Sequence, residues 1–267
     1  MGKLKEIAAS GAFAVYNLAA RRLPVQVSLP DSPFEAMKEF FDAIWVLTIP
    51  RNTQRQEAIR RSLRGLDFQF VNGVDGRSFE EGDARIDLRA AEALYHRPVR
   101  VNELACTMSH LVMYQRIREL HLGRVLIFED DAVPLPAARS WTSYCLQRLP
   151  LDWEIFYMGF RHGELRGFQR GFQRKLGLGK ADTGLYSRAV GRGIRTAAQH
   201  DFTHAYGVTY EGAGKLLEGA YPVFHTADGW LGHRIASGQI RAYLSVPKLF
   251  GQSSSGGSSI HHGSHLA

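Results

Sequence analysis

The chain has 267 residues, a net charge of +7 and a sequence pI near 9.5. Its 45% hydrophobic and 22% charged content are ordinary for a globular domain, which excludes a disordered or fibrous chain. Two cysteines, Cys106 and Cys145, make no disulfide framework, so a reducing compartment is expected. The basic balance suits phosphorylated substrates, nucleic acid or an anionic membrane face, and charge does not choose among them.

No segment reaches the roughly 20 apolar residues of a spanning helix. Ile7 to Ala20 comes nearest but carries Ser10, Gly11 and Asn17. Lys3, Lys5, Arg21 and Arg22 flank it, so it reads as an amphipathic helix that packs on the domain or touches membrane. Residues 1–40 are read as a helical extension broken at Pro24, Pro30 and Pro33. The first strong strand is Ala43 to Ile49, stopped by Pro50. Gln54 to Leu66 then has helical spacing, with Ile59, Leu63 and Leu66 on one stripe. Phe68 to Val71 is a second strand, closed by a turn at Val74-Asp75-Gly76. A strand, helix and strand in that order predict a parallel pair with a right-handed crossover.

Asn102 is placed as the cap of a helix from Glu103 to about Leu120, stopped by Gly123. Val125 to Phe128 and Trp153 to Met158 are further strands, and the alternation indicates an α/β layer fold. Between 161 and 200 glycine and arginine dominate, and Gly167-Phe168-Gln169-Arg170 is repeated at once as Gly171-Phe172-Gln173-Arg174. This reads as a basic loop, either a lid or a solvated insert. Ala205 to Thr209, a helix from Gly212 to Glu218 and another from Trp230 to Ala236 complete the pattern. The expected organisation is an extension 1–40, one catalytic domain 41–252 carrying the basic Gly/Arg-rich loop 161–200, and a flexible tail 253–267.

The most informative stretch is Val125-Leu126-Ile127-Phe128-Glu129-Asp130-Asp131. A short run of β-formers stops at three acids, which places carboxylates at a strand's C-terminal end, where open α/β sheets bind ligands. Adjacent carboxylates repel, so an apolar site keeps them ionised only with a cation or basic partner. A hard divalent ion bridging to a substrate phosphate fits. The competing reading is a strand that runs into a solvated acidic turn.

Five segments, in order, resemble one family. They are Leu47-Thr48-Ile49-Pro50-Arg51-Asn52-Thr53-Gln54-Arg55, then Phe70 to Gly76, then Asn102-Glu103-Leu104-Ala105-Cys106-Thr107-Met108-Ser109-His110. The acidic run Leu126 to Asp131 and the block Thr203 to Tyr206, Gly212 to Leu217 and Thr226-Ala227-Asp228 follow. Together they resemble glycosyltransferase family 25, the lipopolysaccharide and lipooligosaccharide galactosyltransferases related to collagen galactosyltransferases. Thr48 stands where Asn is usual, and Ala105 and His204 where Gly is usual. The resemblance implies a glycosyltransferase type A fold: one Rossmann-like domain with a mixed, mainly parallel sheet. It implies an inverting hexosyltransferase that uses UDP-galactose with Mn²⁺ or Mg²⁺ and acts on a glycan or glycolipid acceptor of the cell envelope. The expected setting is cytoplasmic, with peripheral contact on an anionic inner membrane face and no nucleic-acid partner.

On that reading Asp131 is the first metal ligand and Glu129 the second, directly or through water or the ribose. Asp130 alternates to the other side, toward the donor sugar or a supporting cation. Thr48 joins it in the donor site. Arg51 and Arg55, four apart at a helix start, would share a face and grip the diphosphate, or else be solvated. Asp75 lies where base or ribose would sit, or simply forms its turn. Asp228 is the candidate general base, or else a helix N-cap. His110 reads as a packing or supporting residue rather than a base. His225, His261 and His262 are candidate third metal ligands. Two rivals stand beside this reading: a metal-dependent phosphohydrolase or nucleotidyltransferase using the same acids, and a non-enzymatic module binding anionic surfaces through 161–195.

Overall fold

The computed structural model describes residues 32–80, 82–162, 188–197 and 200–253. The expected helix of residues 7–20, the repeat of 167–174 and the tail histidines lie outside the described residues.

Ten strands form one mixed sheet: β1 (Ala43–Thr48), β2 (Gln69–Asn72), β3 (Arg124–Glu129), β4 (Ala132–Pro134), β5 (Ile155–His162), β6 (Ala189–Gly191), β7 (Ile194–Thr196), β8 (His200–Thr209), β9 (Ala242–Ser245) and β10 (Phe250–Gln252). The main path runs β2-β1-β3-β8-β5-β9-β7-β6, with β10 bridging β4 and β5. β1 is parallel to β2 and β3, and β5 is parallel to β9. β8 is inserted antiparallel between β3 and β5. Following the pairings, β4, β7 and β8 oppose the other seven strands, so the sheet is mixed and mainly parallel, as expected.

Helices cover both faces, which is why the central strands are apolar throughout rather than alternating. Val125 and Ile127 join one core with Leu104, Met108, Leu111 and Ile117 of α4 (Val101–Glu119). α3 (Leu88–Tyr95), α6 (Tyr210–Leu217) and α7 (Ala227–Ala236) add Ala91, Leu216 and Trp230 to that face. Leu126 and Phe128 point the other way. There they meet α1 (Pro33–Phe40), α2 (Thr53–Ser62) and α5 (Pro136–Arg148) through Met37, Phe40, Ile59 and Leu146. The result is an α/β/α sandwich of the Rossmann-like kind. α1 belongs to its core, so the end of the segment read as an extension is part of the domain. The segment read as one loop contains the β6–β7 hairpin. Among the described residues no helix is long and apolar enough to cross a membrane.

Two expectations about helix starts are corrected. Asn102 does not cap α4. The helix starts at Val101, and Glu103 accepts the Arg100 N–H at 3.1 Å from inside the first turn. Arg51 is not on a helix, because Asn52 is the N-cap and α2 begins at Thr53.

The register levels the C-terminal ends of three strands. Thr48 is paired with Asn72, and Leu47 with Glu129. The chain leaves β1 through α2 on one face toward β2, then returns through α4 on the other face to β3 on the far side of β1. A crevice opens outside the strand ends at such a reversal.

Candidate active site

The acidic run stands at that crevice, and each carboxylate goes its own way. Glu129 ends β3 and turns to the α4 face. Thr203 Oγ1 of β8 donates to its Oε1 at 2.5 Å, and His110 Nε2 of α4 lies 3.6 Å away. Asp130 turns to the α2 side, accepts from Thr48 Oγ1 at 2.7 Å and pairs with Arg55 Nη2 at 2.8 Å. Asn52 also bonds it. Asp131 takes the same guanidinium nitrogen at 2.6 Å, and Gln252 Nε2 of β10 reaches its Oδ1 at 3.4 Å.

Arg51 and Arg55 do not share a face. Arg51, in the turn before α2, forms an ion pair with Asp75, while Arg55 turns inward to the acids. Spacing misjudged this pair because the helical period applies only once the helix has begun. Asp75 plays the turn-forming part: its Oδ1 accepts the Arg77 N–H at 3.1 Å and caps the 3-10 turn Gly76–Ser78. A Cβ at Gly76 would run into the Asn102 side chain, which would have to turn away.

The electrostatics follow from this layout. Burial pushes the Asp131 carboxyl up, the neighbouring Glu129 and Asp130 charges add to it, and Arg55 opposes; the outcome is about 7. Burial also raises Asp130, against Arg55 and Thr48. Burial pushes Glu129 up too, but His110 and Thr203 outweigh it and hold Glu129 below its ordinary value. Burial, followed by the charges of Glu129, Asp228, Asp131 and Asp130, pushes the Cys106 thiol well above its ordinary value. All four carboxylates therefore bear on one region.

Asp228 lies in the first turn of α7 without being its cap. Thr226 is the N-cap, and Asp228 Oδ1 accepts from Thr226 Oγ1 at 2.7 Å and from the Gly229 N–H at 2.9 Å. Glu103, the next acid along α4, is a poor base. Arg97 holds it at 3.0 and 2.5 Å, and although burial raises it, these bonds keep its carboxyl below the ordinary range.

His110 has the supporting place expected of it. It is buried, and Tyr206 OH meets its Nδ1 at 2.7 Å, with Tyr114 OH another 2.7 Å beyond. Ser109 ties α4 to the β2 turn by accepting the Val74 N–H at 2.8 Å. His225 stacks on His233, meets Trp230 at a tilt, and is driven to about 4 by burial and by His233. Among the described residues, the group of three donors close enough to hold a metal is Cys106, His110 and Glu129, all within 4.8 Å of one another; His225 and Asp131 are not in it. Sequence reasoning missed Asn52, Gln252 and Thr203 as partners of the acids. Gln252 carries no local signal at all, since only the pairing of β10 with β4 brings it to Asp131.

The strand ends of this α/β sheet thus carry three acids, the half-buried Arg55 and the Arg51–Asp75 pair. The sequence pattern described as "Glycosyltransferase family 25 (LPS biosynthesis protein)" matches residues 41–231, and the chain belongs to that family. "Procollagen galactosyltransferase 2" of Mus musculus is 22% identical over 192 residues, 68% of this chain and 28% of that protein. "Probable inactive glycosyltransferase 25 family member 3" of Rattus norvegicus is 25% identical over 137 residues, 48% of this chain and 24% of that protein. The chain spans about a quarter of the length of these two relatives. A solved glycosyltransferase "involved in the glycosylation of the major capsid of PBCV-1" aligns over 82% of this chain and 95% of its own, with 9% identity and a TM-score of 0.41.

Proposed function

We propose that the chain is an inverting glycosyltransferase that moves galactose from UDP-galactose to a glycan or glycolipid acceptor in cell-envelope polysaccharide synthesis. The observation that carries the reading is the run of Glu129, Asp130 and Asp131 at the end of β3, the last two paired with Arg55. Family membership supports it. Because the family includes relatives named inactive, the acids, rather than membership, are the ground for activity.

The donor set fits a hard divalent ion. Asp131 offers carboxylate oxygens, and its carboxyl is pushed up to about 7, so its ionised form lacks a full counter-charge that a cation would supply. Asp131 and Glu129 would hold Mn²⁺ or Mg²⁺. Such an ion offsets the negative charge that grows on the departing diphosphate. Asp130 and Thr48 form the wall of the donor site through their own hydrogen bond. Arg55 serves as counter-ion to Asp130 and Asp131. With a divalent ion on Asp131, the Arg55 guanidinium would be less tightly held there, and its planar donor fork would suit phosphate oxygens. Arg51 and Asp75 stand beside it toward the nucleoside.

Inversion needs a base that takes the acceptor hydroxyl proton on the face opposite the leaving group. Asp228 takes that part. Its Oδ1 is already fixed by Thr226 and Gly229, which orients the carboxylate before the acceptor arrives. By its composition the basic 161–195 stretch suits an anionic glycolipid acceptor or an anionic membrane face.

A donor screen by UDP release, with a candidate acceptor and with Mn²⁺ or EDTA, tests the proposal. UDP release coupled to a glycosylated product, only with metal, is expected. Release of inorganic phosphate or pyrophosphate would place the chain with the phosphohydrolases or nucleotidyltransferases and overturn the reading.

A further inference from the structure

Cys106, His110 and Glu129 have no part as a set in the transferase reading. Cys106 and His110 are one turn apart on α4, so they project on one side, and β3 brings Glu129 to them. The three ligand atoms lie within 4.8 Å of one another, and His110 Nε2 is 3.6 Å from Glu129 Oε1. Donors around a tetrahedral zinc ion at ordinary bond lengths are roughly 3.3–3.6 Å apart. The His110–Glu129 pair already has that spacing, and a small rotation at Cys106 would bring its sulfur in.

The surroundings fit a cation. The charges of Glu129, Asp228, Asp131 and Asp130 all act on the Cys106 thiol. The imidazole is oriented from behind: Tyr206 OH holds its Nδ1 at 2.7 Å and Tyr114 OH holds Tyr206 at 2.7 Å, leaving Nε2 toward Glu129 and, at 3.4 Å, Thr203 Oγ1. Metal-binding histidines are commonly fixed through the other ring nitrogen in this way. Thr203 Oγ1 fixes the carboxylate at 2.5 Å. Cys106 as a residue is only partly buried.

We propose that Cys106, His110 and Glu129 form a binding site for a thiophilic divalent cation of the zinc type, different in ligand chemistry from the oxygen site assigned to Mn²⁺ or Mg²⁺. One thiolate, one imidazole and one carboxylate select a softer ion than carboxylates alone. On binding, the thiol proton leaves to solvent, and the imidazole proton sits on Nδ1 and donates to Tyr206, which in turn donates to Tyr114. A dipositive ion then meets two anionic ligands, so the site is neutral. Because Glu129 is shared, an ion here draws that carboxylate from the donor side, and Zn²⁺ opposes Mn²⁺-supported turnover.

Titrating the full chain with Co²⁺, without nucleotide, tests the site. One equivalent is expected to give thiolate-to-cobalt charge-transfer absorption with the visible bands of a tetrahedral ion, and Zn²⁺ displaces it. Cys106→Ser should abolish the charge-transfer band and weaken Zn²⁺ binding by at least ~10²-fold. Cys145→Ser, on the opposite face of the sheet, should keep both, as should Asp131→Asn. Cys106→Ala serves if the serine variant fails a circular-dichroism check of folding. Absence of the band at one equivalent, its survival in Cys106→Ser or its loss in Cys145→Ser overturns the proposal. The transferase reading survives such a failure, because its own test is UDP release with Mn²⁺, and loss of that release leaves the cobalt result untouched.

Discussion

Replacing Asp131 by asparagine removes one charge while keeping the size of the side chain. Its carboxyl rises from an ordinary 3.8 to about 7, because burial and the Glu129 and Asp130 charges outweigh Arg55. Between those two values the folded protein holds a proton that the unfolded chain has released. Stability therefore falls as pH rises through this window, and the whole penalty is in place above 7. At 1.36 kcal/mol for each tenfold step, that penalty is about 4 kcal/mol. The side chain is 20% exposed, and asparagine gives Arg55 a weaker partner than a carboxylate. The net gain expected from Asp131→Asn at pH 8 is thus roughly 1–3 kcal/mol. For a domain of this size each kcal/mol is worth roughly 2–4 °C. Thermal melts with EDTA should show the variant above the wild type at pH 8, with the gap shrinking to roughly a third at pH 5 and closing below pH 4. Mn²⁺ with UDP should stabilise only the wild type. If the variant melts below the wild type by the same margin at both pH values, Asp131 is a satisfied structural carboxylate and the metal assignment loses its basis.

Arg55→Ala should raise Asp131 further by removing its counter-charge. It should also weaken UDP binding by roughly 1.5–3 kcal/mol, measured by calorimetry across pH; an unchanged affinity would confine Arg55 to bracing the acids. Asp228→Asn should lower kcat by ~10²–10⁴-fold with UDP affinity nearly intact, since it removes basicity and leaves the donor side alone; a near-normal kcat would reduce Asp228 to an element of the α7 turn. Tyr206→Phe should cost roughly 1–3 kcal/mol by urea unfolding, because Tyr114 OH and His110 Nδ1 are buried and lose a shared partner. Gly212→Ala should cost roughly 1–3 kcal/mol in the same assay, since its Cβ would meet the Glu154 carbonyl oxygen at 2.7 Å and backbone must move; a neutral result would show that α6 can shift freely on β5.

The fold was legible wherever a strand is covered on both faces. Val125 to Phe128 is an unbroken apolar run because Val125 and Ile127 serve one core and Leu126 and Phe128 the other. Position along that run also told where the acids would stand. What sequence could not tell was which way each acid would turn. That choice depends on β8, whose Thr203 lies 74 positions from Glu129, and on β1, whose Thr48 lies 82 from Asp130. Local patterning has no access to such distances. The same limit hid the short strands β4 and β10, whose pairing alone carries Gln252 to Asp131.

The arginines show a second kind of limit. Their four-residue spacing was real, and the inference from it failed at a single residue, where Asn52 rather than Arg51 begins the helical turn. One residue of offset sent one guanidinium to Asp75 and the other to Asp130 and Asp131. The offset matters for chemistry. Two arginines on one face would make a ready-built anion site, whereas here each arginine is already committed to a carboxylate. A diphosphate can claim Arg55 only if something else neutralises the acids, so nucleotide and cation binding should be coupled. UDP affinity should rise with Mn²⁺ by a larger factor in the wild type than in Arg55→Ala, where no arginine is there to be released. Calorimetric titrations of UDP across a Mn²⁺ series, in both proteins, read that difference directly. Equal enhancement in the two would mean that the cation acts on the phosphates alone and that Arg55 never leaves Asp130 and Asp131.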